Sequence, residues 1–252
     1  MITKDTLRAH WPDILAVGLE CDPGWHGLID GLCATLDAHA RREGREPPRA
    51  LQIKEKMGGL RFYTRDGQAS TRAVVSFAEA ISNRICELCG NQGRTHKIGG
   101  YICTRCPACA SRDGAVPQDL SFWVKPRIPP MGIDLADLRA RRAAALEPNA
   151  VLELPPGWLD LADAVLDDIC FRREDTGGKV LLRDTPGTKT FLVGGRRSKE
   201  KPGLVTAMVR EGDGLRIDVD APDRDTVAVL ELAVALAART DPETGRLAVE
   251  GE

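Results

Sequence analysis

Five of the chain's eight cysteines fall between Cys86 and Cys109. Cys86-Glu87-Leu88-Cys89-Gly90 is a Cys-x-x-Cys-Gly turn, a shape in which two thiolates converge while backbone amides point at the sulfurs. After a thirteen-residue spacer holding Gly93, Gly99 and Gly100 come Cys103-Thr104-Arg105-Cys106 and then Cys109. Two such pairs across a hairpin-sized spacer suit a tetrahedral four-thiolate zinc site. The expected ligands are Cys86, Cys89, Cys103 and Cys106. Cys109, in the knuckle Cys106-Pro107-Ala108-Cys109, competes for the fourth place, and His96 is a weaker rival. An iron–sulfur cluster uses the same donors. Four thiolates close the shell, so the site reads as structural, without the open position that catalysis needs.

Residues 84–112 carry Arg84, Arg94, Lys97, Arg105 and Arg112 against Glu87 alone. A small basic ribbon is a nucleic-acid-binding device, with Arg94, Lys97, Tyr101 and Arg105 as the contacting residues and Tyr101 as a stacking platform. The plainer expectation is a basic surface that complements acidic parts of the same chain, since residues 202–252 are strongly acidic.

Other chemistry is thin. There is no Gly-x-Ser-x-Gly, Walker or Rossmann pattern. Gly194-Gly195-Arg196-Arg197-Ser198-Lys199 is glycine-led and basic but lacks phosphate-loop spacing. His10, His26 and His39 lie on or beside predicted helices with no evident partner. Cys21, Cys33 and Cys170 read as small apolar residues. Asp167-Asp168 reads as a solvated helix face.

At 252 residues, with 42% hydrophobic and 29% charged content, the composition is that of a globular protein. A net charge of −2 argues against a chain that binds polyanions over its whole surface. No signal peptide or membrane span is read, and clustered Cys-x-x-Cys pairs favour metal over disulfides; both point to the cytoplasm.

The elements around the cysteines follow from periodicity. Leu7, Trp11, Ile14 and Leu15 predict helix within residues 1–20, with Pro12 near its front or dividing it. Asp22-Pro23-Gly24-Trp25 opens a second helix running to about His39. Leu51–Tyr63 reads as a β-hairpin turning at Met57-Gly58-Gly59. Ala69–Ile85 is a further amphipathic helix. In the second half, Pro156-Gly157-Trp158 repeats Pro23-Gly24-Trp25 at an offset of 133, and Gly214-Leu215-Arg216 repeats Gly59-Leu60-Arg61 at 155. Leu159–Ile169 and Thr226–Arg239 repeat the flanking helices. The extra residues are expected around Lys179–Lys201. The polar Gln52–Lys56 segment is not kept: Ala207-Met208-Val209-Arg210-Glu211 stands there. Phe122 and Trp123 read as anchors of a Pro-rich linker, Asp134–Leu146 as a short Arg-rich helix, and the chain after Thr240 as a frayed acidic tail.

The expected fold class is therefore α+β: two related helix–β-hairpin–helix modules with a zinc-ribbon-like insertion after the first. The divisions are a first module at 1–85, a ribbon at 86–110, a linker and short helix at 111–153, and a second, degenerate module at 154–252.

The run Gln52-Ile53-Lys54-Glu55-Lys56-Met57-Gly58-Gly59-Leu60-Arg61-Phe62-Tyr63, followed by Cys86-Glu87-x-Cys89-Gly90 and Cys103-x-x-Cys106, resembles a group of mostly uncharacterised bacterial and phage proteins. These share a Pro-Gly-Trp helix start, a Gln-Ile-Lys-Glu-Lys-Phe-Gly-x-Leu-Arg-Phe-Tyr core and a following ribbon-like pair whose last ligand is Cys or His. The likeness covers about residues 22–110, favours Cys106 over Cys109, and says little of activity. Met57 stands where that group has Phe, and the metal-free second copy is an addition. The functional expectation is a non-enzymatic protein-binding module, such as an immunity- or antitoxin-like protein that neutralises a toxin or effector. The alternative is a nucleic-acid-binding or regulatory zinc-ribbon protein.

Overall fold

The structure is a computed structural model that describes residues 2–65, 68–117, 128–174 and 202–247. The fold is mixed α+β, with seven α-helices and three three-stranded sheets among the described residues. No helix among them is long and apolar enough to cross a membrane. Phe122, Trp123, the Lys179–Lys201 stretch and the basic run at 194–199 lie outside the described residues.

Helix α1 (Lys4–His10) is capped by Thr3, whose side chain accepts from the Thr6 amide. It ends just before Pro12, so the helix expected through residue 20 is one short helix followed by a brief strand, β1 (Leu19–Glu20). Pro23–Trp25 forms a 3-10 turn into α2 (His26–Arg42); Asp22 holds the cap position but makes no side-chain cap bond. Strands β2 (Ala50–Lys56) and β3 (Gly59–Thr64) pair antiparallel, with Lys56 opposite Gly59. Both turn residues are left-handed (Met57 φ 54°, Gly58 φ 73°), the geometry that matches strand twist in a two-residue hairpin. Helix α3 (Ala69–Ser82) ends three residues earlier than expected, and the chain bends into the cysteine cluster.

The ribbon follows as β4 (Arg94–Ile98), β5 (Tyr101–Arg105), the short helix α4 (Pro107–Asp113) and β6 (Val116–Pro117), with strand order β5-β4-β6. Asp134 then caps α5 (Leu135–Arg141) through a capping box with Asp137. Strand β7 (Leu146–Glu153) lies in the stretch expected to be linker. It leads through a 3-10 turn at Pro156–Trp158 into α6 (Leu159–Glu174). Strands β8 (Val205–Glu211) and β9 (Gly214–Val219) and helix α7 (Arg224–Ala237) complete the described elements.

The first and third sheets have the same plan. In each, a leading strand runs parallel to the first hairpin strand: Leu19 pairs with Ile53, and Leu152 with Met208. Strands β8 and β9 and helix α7 begin and end 155 residues after β2, β3 and α3. Helices α2, α3, α6 and α7 pack together between the halves. One continuous core results, with Trp25, Phe62 and Phe77 from one half and Trp158, Leu166 and Leu232 from the other. Gly31 of α2 lets α7 come near, since a Cβ there would meet Leu236 Cδ2 at 3.0 Å.

Ion pairs tie the halves reciprocally. Arg84, just after α3, donates from Nη1 to Asp163 Oδ2 on α6 at 2.6 Å. Arg239, just after α7, donates from Nη2 to Asp30 Oδ2 on α2 at 3.0 Å. Each carboxylate has a second donor from its own half: Arg142 Nε to Asp163 Oδ1 at 2.7 Å, and Trp11 Nε1 to Asp30 Oδ1 at 2.7 Å. Asp163 is fully buried. Burial opposes its charge, but Arg142 and Arg84 together hold its carboxyl below the usual carboxylate range.

Candidate metal centre

The sulfurs of Cys86, Cys89, Cys106 and Cys109 lie within 4.8 Å of one another. Cys89 Sγ is 3.7 Å from Cys106 Sγ and 3.7 Å from Cys109 Sγ. A tetrahedral ion with metal–sulfur bonds of about 2.3 Å sets its sulfurs about 3.8 Å apart, so the spacing fits one ion. Three of the four cysteines are buried and Cys89 is half-buried.

The first knuckle is built on backbone hydrogen bonds. Cys86 N donates to Asn91 O at 2.7 Å, and Gly90, at φ 76°, donates back to Cys86 O at 3.0 Å. Trp25 Nε1 donates to Ile85 O at 2.9 Å and Gly24 N to Glu87 O at 2.8 Å, fastening the knuckle to the start of α2. Gly24 is required here, since a Cβ would collide with the carbonyls of Cys86 and Glu87. Burial raises the Cys86 thiol to about 11, against the pull of the Cys106, Leu88 and Cys89 amides that point at its sulfur. Those amides are placed to favour the thiolate once a metal offsets the burial.

The second knuckle is Cys106-Pro107-Ala108-Cys109, and here the structure corrects the expected ligand set. Cys103 is not in the cluster; its thiol points to His96 O at 3.6 Å from within β5. On an extended strand, residues three apart face opposite sides and lie about 10 Å apart, so positions 103 and 106 cannot converge. Cys106 instead caps α4, with Pro107 at its first position and the Cys109 amide donating to Cys106 Sγ at 3.4 Å. On a helix, positions three apart share a face. Burial works against the Cys106 thiolate, yet the Cys109 amide and the neighbouring thiols donate to it and bring its pKa below the ordinary thiol value. His96, the other rival, bonds Arg94 O through Nδ1 at 2.7 Å. The signal available in the sequence was Pro107, which marks a helix start directly after Cys106.

The residues singled out for nucleic acid are not gathered on one free face. Arg94 grips both oxygens of Asp160 at 2.8 and 2.9 Å. Arg105 pairs with Glu87 and, at 3.0 Å, with Asp113. Lys97 is exposed, and Tyr101 is 83% exposed at the ribbon tip.

The ribbon is docked on the first hairpin. Thr104 Oγ1 donates to Gly58 O at 2.6 Å, and Glu87 N donates to Thr104 O at 3.1 Å. Gly58 lies so close that a Cβ would meet Cys103 C at 3.1 Å.

Residues 240–247, expected to fray, form a second ordered turn against the knuckle. Asp241 N donates to Arg246 O at 2.8 Å, Gly245 N to Asp241 O at 2.9 Å, Gly157 N to Pro242 O at 2.7 Å and Trp158 Nε1 to Thr240 O at 3.0 Å. These reproduce, bond for bond, the pattern around Cys86. Asp241 Oδ1 accepts from Thr244 N at 2.6 Å, Thr244 Oγ1 at 2.8 Å and Glu243 N at 3.0 Å. The Thr244 donors, with Glu243 N, hold its carboxyl below the usual range. Leu247 N donates to Gly90 O at 2.9 Å, so the two turns touch. Comparison with family models, curated proteins and solved structures finds no match to this chain.

Proposed function

We propose that the chain is an internally duplicated, zinc-stapled scaffold that works by binding another protein, in the manner of an immunity- or antitoxin-like partner of a toxin or effector. The observation that carries the binding role is the strongly acidic stretch 202–252, which can mask a basic surface of a partner; the four-sulfur donor set of Cys86, Cys89, Cys106 and Cys109 supports only the staple, since it leaves a tetrahedral ion no position for a substrate or reactive water. An all-thiolate tetrahedral set suits zinc in a structural role. The matched spacing of elements in the two halves, and the exchange of Arg84–Asp163 for Arg239–Asp30 between them, support a duplication whose copies pack as the subunits of a two-fold dimer would. The likeness to bacterial and phage proteins through Gln52–Tyr63 rests on those motif residues.

The nucleic-acid reading has less behind it, because Arg94 and Arg105 already serve carboxylates of this chain. The test is to isolate the chain at native expression level and identify what co-purifies. One protein at equal stoichiometry, whose toxicity the chain suppresses on co-expression, is expected. Salt-sensitive retention on DNA or RNA with no protein partner would overturn the proposal.

A further inference from the structure

The two halves differ at the outer edge of their sheets. In the first half, side chains of α3 close the edge strand β3. Leu60 N donates to Ser82 Oγ at 2.9 Å, and Phe62 N donates to Glu79 Oε1 at 2.9 Å. In the second half, β9 is the edge strand of the order β7-β8-β9. The positions on α7 that match Ser82 and Glu79 are Ala237 and Val234, whose side chains have nothing to accept with. Gly214, Arg216 and Asp218 pair with β8 as Gly59, Arg61 and Tyr63 pair with β2, so Leu215 and Ile217 turn their amides outward as Leu60 and Phe62 do. Among the described residues no strand lies beyond them. The flank of this edge is apolar as well. Val227 and Val234 are exposed and Leu230 between them is partly buried, where α3 has Arg72, Glu79 and Val75. An unpaired edge beside exposed apolar side chains is a template for another strand.

The residues of β9 fit a second β9. Arg216 and Asp218 stand half-exposed on the outer face and pair with each other within the chain. An antiparallel copy centred on Arg216 would set that residue against itself, and one centred on Asp218 would do the same with a carboxylate; like charges directly opposite are unfavourable. Centred on Ile217, the copy sets Arg216 of each chain opposite Asp218 of the other, and Leu215 opposite Val219 on the inner face. We infer that the chain forms a two-fold dimer in which β9 pairs antiparallel with β9 of a second copy about Ile217. Two three-stranded sheets become one of six strands, and the Val227–Val234 stripe of α7 meets its own copy beneath the join. The inference stands apart from the toxin-partner reading, and either can fail alone.

The test is sedimentation equilibrium on the metal-loaded full chain from micromolar to millimolar concentration, with amide exchange at both ends of the range. A monomer–dimer equilibrium is expected, with the Leu215 and Ile217 amides protected only where the dimer is populated. Arg216→Asp or Asp218→Arg alone opposes like charges twice across the join and should weaken the dimer by about tenfold or more. The two changes together restore opposite charges and should bring it back to within about threefold of the wild type. Val234→Glu places the Glu79 acceptor at its matched, exposed position and should leave the chain folded but monomeric where the wild type is dimeric. A wild type that stays monomeric throughout would overturn the inference, whether its edge amides exchange freely or are covered by other segments of the same chain. So would a dimer indifferent to the charge reversals and to Val234→Glu, or edge amides protected only when a different protein is bound.

Discussion

The knuckle at 85–92 and the turn at 240–247 share a backbone and differ in what closes it. Ile85 bridges to Gln92, and Thr240 to Leu247, each across the same span. In the first, two thiols face two more from the cap and first turn of α4, a donor set spaced to hold one ion. In the second, Asp241 accepts the Thr244 hydroxyl and amide, and the turn closes on itself. One fold thus contains a thiol-lined and a self-closing solution to the same chain reversal. The thiol-lined one carries a docked ribbon, and the other stands beside an open cleft.

The sharpest way to break this comparison is to remove the ion. Cys106→Ser or exhaustive chelation should raise amide exchange across 84–117 by orders of magnitude while 205–247 keeps its protection, since structural zinc in small sites binds with roughly 10–16 kcal/mol. Equal loosening of both turns would sink the contrast.

Next in size is the reciprocal ion pairing. Asp163→Asn leaves Arg84 buried without its carboxylate and Arg142 with Asp167 alone, and should cost about 3–5 kcal/mol in denaturant unfolding. Asp30→Asn, whose Arg239 partner is partly exposed, should cost about 1 kcal/mol or less from the lost ion pair. Similar losses at both sites would mean the two pairs are not differently buried. Asp163 also sets a pH dependence. Its folded pKa lies below its unfolded value of about 3.9, so its contribution is complete above that value and lost as pH falls through the folded pKa. In Asp163→Asn, that part of the acid unfolding should disappear.

Asp241→Ala should quicken exchange of the Thr244 amide without changing metal content. A metal loss in that variant would show that the two turns are not independent. The smallest effect is expected for Cys103→Ser, which should retain the full metal complement.

Cysteine spacing made the existence of the centre legible, and the Pro-Gly-Trp and Gly-Leu-Arg markers made the hairpins and their flanking helices legible. What failed to show was local. Choosing Cys103 over Cys109 treated Cys-x-x-Cys as spacing alone, whereas convergence depends on whether the three-residue step is strand or helix. Strands β1 and β7 were missed because each is recognised through its parallel partner rather than by its own pattern. The ordered 240–247 turn was hidden because Asp-x-x-Thr carries no cysteine, and its likeness to the knuckle lies in backbone hydrogen bonds.

The most direct measurement is X-ray absorption at the metal edge, with metal counting, on the wild type, Cys103→Ser and Cys109→Ser. One ion per chain with four sulfurs at about 2.3 Å is expected for the wild type and Cys103→Ser, and loss or a three-sulfur shell for Cys109→Ser. A nitrogen in the wild-type shell, or metal lost from Cys103→Ser and kept by Cys109→Ser, would contradict the centre described here.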